Sequence, residues 1–292
     1  MNILKLLADL AAVDSDSFER ISGRRVVLAS LGQNGRRAVA AAVPLALSGV
    51  LTKAYGRRSS TVLDAFSLAL TLEYLESDFY TQALASGLVF PGTTKTVIQA
   101  IAKHEQDHVT FLQRTLRESS VEVPQKPKFD FTGSKNATQP ALFADVFSNF
   151  STFLKVAQLL EDTGVRAYKG QVENLMTDND LLEAALRIHA VEARHAAHIR
   201  GMRRALGANV RYWVSPLDED ITTAPTAPVY ADENAVKQAI VTTTDIILFP
   251  LDTATGVVTT TKEKAEQSIR EAFDEPMTET VARRIASLFI YA

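Results

Sequence analysis

Glu105-Gln106-Asp107-His108 and Glu192-Ala193-Arg194-His195 decide how this chain is read. In each stretch a Glu precedes a His by three residues, so on a helix the two side chains share a face and can reach one common point. With 17 Glu and five His among 292 residues, two such pairs arise by accident in roughly 3% of random arrangements. Further upstream, Glu73 precedes Tyr80 by seven residues and Glu161 precedes Tyr168 by seven. Glu73 stands 32 residues before Glu105 and Glu161 stands 31 before Glu192, so the two halves repeat one plan.

The surrounding apolar pattern places all four stretches on helices. Val62, Phe66, Ala69, Leu72, Leu75 and Phe79 follow at three- and four-residue steps and predict a helix over 60–86. Gly87 and Pro91-Gly92 end it, and Val97, Ile98, Ile101, Val109, Leu112 and Leu116 predict a second helix over 94–117. Residues 118–140 turn to Pro, Lys, Ser, Thr, Gly and Asn, a connection too long for a simple turn between neighbours. Helical patterning resumes over 141–176 and again over 180–206. Short, long and short connections between four helices describe a bundle with one crossover.

Glu73 aligns by turns with Phe66, Leu70 and Tyr80, Glu105 with Ile98, Ile101 and Leu112, Glu161 with Leu154, Ala157 and Tyr168, and Glu192 with Ile188 and Ile199. All four carboxylates are therefore expected to face inward. Burying an unpaired ionised carboxylate costs several kcal/mol even after relaxation, roughly speaking, so four converging ones must be compensated. Two divalent cations would do so, with His108 and His195 completing the ligand set as neutral rings. The competing reading is a metal-free bundle in which the buried Glu pair with Arg166, Arg194 or one another.

One Glu from each of two helices, Glu-x-x-His from each of the other two, and a single long crossover resemble the ferritin-like di-iron or di-manganese carboxylate four-helix bundle. More narrowly, Leu70-Thr71-Leu72-Glu73-Tyr74-Leu75-Glu76, Ala102-Lys103-His104-Glu105 and Ala272-Phe273-Asp274-Glu275-Pro276-Met277 resemble bacterial ferritin-like proteins related to desiccation-associated proteins. The resemblance implies metal ligands at Glu73, Glu105, His108, Glu161, Glu192 and His195, with Glu105 and Glu192 as bridges. It implies two iron or two manganese ions and chemistry on dioxygen, hydrogen peroxide or ferrous iron. Glu76, one turn after Glu73 where the repeat has Gly164, is read as a seventh, mobile ligand or a solvent-side acid. Tyr80 and Tyr168 join Glu76 as candidate catalytic residues, able to bond the ligand carboxylates or simply to fill the core. His189 and His198 are read as outer partners or helix-end residues, and His104, about 100 degrees from Glu105 on the helix, as a surface or interhelical residue.

The fold class expected is all-α: an N-terminal helical arm over 1–59, a ferritin-like bundle over 60–206 and a mixed C-terminal extension over 207–292. A short extended element is expected near Ile246–Pro250, and helices over 262–273 and 278–289. Ala38 to Leu51 is a 14-residue apolar run, fitting either an export segment or a buried helix, and too short for the ~20 residues that span a bilayer. Exported and cytoplasmic locations stay equally open. Composition narrows the rest. With no Cys, thiol catalysis, disulfides and iron–sulfur clusters are excluded. A net charge of -3 gives no basic field for nucleic acid. No phosphate-cradling glycine loop or nucleophile elbow occurs. The partners expected are small oxidants or ferrous iron, without stable membrane insertion and with a homo-oligomer allowed. A non-catalytic stress or desiccation protein with a structural metal site is the alternative.

Overall fold

A computed structural model describes residues 60–235, 251–252, 257–258 and 262–292. The expected arm over 1–59, its apolar run and the extended element near Ile246–Pro250 lie outside the described residues. The chain divides into two compact units, of which the larger takes residues 50–236 and 267–292. In the other unit the described elements are β1 (Leu251–Asp252), antiparallel to β2 (Val257–Val258), and the start of α6 (Lys262–Ala272).

The larger unit is built on α1 (Ser60–Ala85), α2 (Thr94–Glu118), α3 (Phe150–Gly170) and α5 (Asn179–Ala205), with a single turn, α4 (Val172–Leu175), between the last two. α1 packs along α2 and α3 along α5. A 26-residue helix is about 39 Å long, enough to span the bundle from end to end. A short 3-10 turn (Ala227–Tyr230) and α7 (Glu279–Ser287) cover the outer side of α3. The bundle is therefore not isolated: residues 207–235 and 267–292 belong to its unit, where the sequence suggested an extension.

That cover explains an unusual feature of α3. From Val156 to Tyr168 every residue is buried, including Gln158, Asp162, Thr163 and Arg166. Arg166 donates to the carbonyls of Glu275 (2.8 Å), Val229 and Ala231 and pairs with Glu233 at 2.6 Å, while the Met277 amide donates to the Arg166 carbonyl. Gly170 lets the C-terminal segment cross this closely, because a Cβ there would fall 1.9 Å from the Met277 carbonyl oxygen. Beside it, Arg200 on α5 is held by Asp162 and by Asp218 (2.6 Å), and Tyr230 donates to Asp162 at 2.7 Å. Arg203 completes the network through Gln158 and Glu219.

The third helix starts later than its periodicity suggests. Residues 141–149 form turns, and α3 begins at Phe150 because the Asn149 side chain accepts from the Ser151 and Thr152 amides. Phe143 and Phe147, whose spacing imitates a helix, instead serve an aromatic cluster. Phe79, Phe131 and Phe153 surround it, with Phe79–Phe153 stacked at 5.1 Å and Phe143–Phe289 at 6.2 Å. The C-terminal helical segments appear where expected, with Thr278 capping α7. Among the described residues no helix is long and apolar enough to cross a membrane.

Candidate metal centre

Four helices each turn acidic side chains into the middle of the bundle: Glu73 and Glu76 from α1, Glu105 from α2, Glu161 from α3 and Glu192 from α5. Glu73, Glu105, Glu161, Glu192 and His108 have no exposed surface, and His195 is buried as well. Two ligand groups result. Glu73, Glu105, His108 and Glu192 offer atoms within 4.8 Å of one another, and so do Glu105, Glu161, Glu192 and His195. Glu105 and Glu192 are common to both groups, the placement that bridging carboxylates require.

The donor atoms converge closely. His108 Nδ1 lies 3.1 Å from Glu73 Oε2, 3.2 Å from Glu105 Oε2 and 3.1 Å from Glu192 Oε1. His195 Nδ1 lies 2.7 Å from Glu105 Oε1, 3.5 Å from Glu161 Oε2 and 3.7 Å from Glu192 Oε2. Even so, Glu105 Oε1, Glu161 Oε2, both Glu192 oxygens and His195 Nδ1 are buried without a properly formed hydrogen bond. Buried polar atoms left in that condition cost about 1–3 kcal/mol each, more when charged, so the cluster calls for a cation between them. Among the described residues no Lys or Arg supplies it. Arg166 is committed to the C-terminal segment and Arg194 is exposed, so the metal-free pairing has no cationic partner. Four carboxylates and two imidazoles around a shared centre fit divalent iron or manganese.

Without a metal, protons must take its place. Burial drives the Glu73 and Glu76 carboxyls far above the usual carboxylate range; His108 pulls Glu73 back, while Glu192 and Glu105 push Glu76 further. Glu161 is raised to about 8, again by burial, which His195 only partly offsets. Burial also opposes ionisation at Glu105 and Glu192, yet His195 and His108 hold both below the usual range. The rings respond in turn: burial would lower them, but the Glu73 charge beside His108 and the Glu105 charge beside His195 raise both. The cluster as a whole thus favours bound protons: Glu73, Glu76, Glu161 and both rings are shifted toward their protonated forms, while Glu105 and Glu192 are held as carboxylates.

Tyr80 and Tyr168 are placed symmetrically across the pairs. Tyr80 on α1 donates to Glu161 Oε1 on α3, and Tyr168 on α3 donates to Glu73 Oε1 on α1 at 2.6 Å. Each outer Glu is thus tethered by one oxygen and keeps the other toward the centre. Glu76 is 2% exposed, which rules out a solvent-side acid. It lies outside both ligand groups, and its Oε1 would stand 3.0 Å from a Cβ at position 164, so Gly164 provides the space it occupies. Its Oε2 has no partner among the described residues.

Of the remaining histidines, His189 Nδ1 meets the Val165 carbonyl at 3.0 Å and His198 is exposed. His104 is half-buried and meets His195, its Nδ1 3.0 Å from His195 Nε2. The interhelical expectation was right in place, but the contact with a ligand ring was missed. Its signal was available: His104 precedes His108 by one turn and so flanks the same face.

A family model described as a ferritin-like domain matches residues 61–205. No curated protein matches the chain.

Proposed function

Residues 61–205 are a ferritin-like domain, and from that premise we propose that the chain is an oxidoreductase holding two iron or two manganese ions, with dioxygen, hydrogen peroxide or ferrous iron as its substrate. The observation that carries this reading is the set of buried, unpaired carboxylate and imidazole atoms converging in two groups that share Glu105 and Glu192. When bound, a pair of such ions exchanges electrons with a small oxidant. Everything else is the work of the chain. Glu73 and His108 would hold one ion, Glu161 and His195 the other, and Glu105 and Glu192 would span both. Tyr80 and Tyr168 orient Glu161 and Glu73 through their phenol hydrogens. Burial, with Glu192 and Glu105 close by, favours the protonated form of Glu76, so this carboxyl is placed to hold and move a proton beside the ligands. The apolar residues around the cluster keep bulk water out.

Turnover tests the reading. Protein loaded with iron or manganese should consume hydrogen peroxide, or oxidise ferrous iron, faster than the same ions free in buffer. Metal-loaded protein that matches the free-metal controls in both assays would leave a structural metal site in a non-catalytic stress or desiccation protein.

A second expectation concerns pH. Glu73, Glu161, His108 and His195 are all shifted toward their protonated forms in the metal-free protein, so filling both positions near neutral pH should release protons. All four shifts are upward. The stability they give the metal-free fold is present at acid pH and is lost as pH rises through the raised values, about 8 for Glu161. Metal binding reverses the sign, so the gap in Tm between loaded and chelated protein should widen from acid pH toward pH 8. Calorimetric titration in buffers of different ionisation enthalpy counts the protons, and a count near zero contradicts the ligand set.

A further inference from the structure

We infer that His104 is a positioning residue for the half of the centre built on His195, and that the two halves consequently take up cations with unequal affinity. The inference rests on the two-cation reading above.

His195 turns Nδ1 toward Glu105, Glu161 and Glu192 and its opposite nitrogen, Nε2, toward His104 Nδ1 at 3.0 Å. The two ring planes agree within 9° and their centroids are 5.2 Å apart. With nitrogens 3.0 Å apart, that centroid separation means the rings meet edge to edge along one line, the geometry of a straight N–H···N hydrogen bond, and not with faces overlapped. A neutral His195 that gives Nδ1 to a cation carries its proton on Nε2 and donates it to His104 Nδ1. His104 thereby fixes both the tautomer and the plane of the ring.

The other half lacks this support. His108 presents Nδ1 to Glu73, Glu105 and Glu192 at nearly equal distances. Its Nε2 is buried and has no partner among the described residues. The pseudo-repeat explains the difference: the position before Glu105 is His104, whereas the position before Glu192 is Val191, whose side chain has no polar atom. Loss of an outer hydrogen-bond partner from a ligating His typically costs about 10–100-fold in metal affinity. The His195 half should therefore fill first, separated from the second step by about that factor.

Titration of the metal-free full chain with Mn2+, following the electron paramagnetic resonance of the free ion, resolves the two steps. His104→Phe keeps the ring volume and removes the nitrogen acceptor. It should weaken the tighter step by about 10–100-fold, leave the weaker step in place and merge the isotherm into one phase. His104→Asn carries an oxygen on Cγ where His carries Nδ1, and should restore two steps. Equal Tm for the metal-free wild type and His104→Phe checks that the fold is intact. Unchanged steps in His104→Phe, equal weakening of both, or no rescue by Asn would overturn the inference while leaving the two-cation reading standing. Wild-type protein that takes up no Mn2+ overturns that reading itself, and the inference with it.

Discussion

Replacing Glu105 and His108 together with Ala should lower bound iron or manganese from about two ions per chain to one or none. Glu105 belongs to both ligand groups, so its loss opens both positions, while His108 contributes to the first group alone. Glu73→Ala, which touches only that first group, should be milder and leave about one ion. Elemental analysis of protein purified in the presence of metal decides the matter: unchanged stoichiometry in the double variant sinks the assigned centre. The loss should also be visible in stability. A ligand present at about 100 times its Kd stabilises a fold by about 2.7 kcal/mol, so each position vacated by substitution or chelation should lower Tm by several degrees.

Removal of Arg200 should be the most damaging single change away from that centre. Arg200→Met leaves Asp162 buried on α3 with its cation gone and only the Tyr230 hydroxyl as partner, and leaves Asp218 with the Arg211 and Ser215 amides but no cation. Breaking one side of a buried ion pair costs about 3–5 kcal/mol, whereas removing both sides is far cheaper. Asp162→Asn combined with Arg200→Met should recover a substantial part of the loss. Denaturant unfolding of the two variants separates these outcomes, and a single variant within about 1 kcal/mol of wild type would show that the network contributes little.

Why was the centre legible in the amino-acid order, and this network not? Glu73, Glu105, Glu161 and Glu192 occupy positions whose neighbours one turn away are apolar, so local periodicity alone turns them inward, and all four are fully buried. The Glu-x-x-His spacing carries the same local information. Asp162 and Arg200 are 38 residues apart on different helices, and neither breaks a pattern in its own stretch. Arg166 sat near the acidic cluster in sequence, but its guanidinium goes the other way, to carbonyls at Val229, Ala231 and Glu275. Only tertiary packing could reveal that choice. Periodicity also misled once: Phe143, Val146, Phe147 and Phe150 follow helical steps, yet the Asn149 cap starts α3 after most of them. An aromatic cluster fed from a turn-rich segment and a helix face present the same spacing, and the spacing cannot separate them.

The order in which the chain is synthesised gives the Gly170 crossing a further meaning. All four bundle helices have been made once Ala205 emerges, but the carbonyls that receive the Arg166 guanidinium arrive at 229, 231 and finally 275, which is 109 residues after it. Until then the outer side of α3, opposite Glu161 and the acidic cluster, stays wet and holds a cation with nowhere to dock. Closure of that side of α3 therefore waits on the synthesis of residues 229–277, whose last part crosses the helix at Gly170, where a Cβ would meet the Met277 carbonyl oxygen.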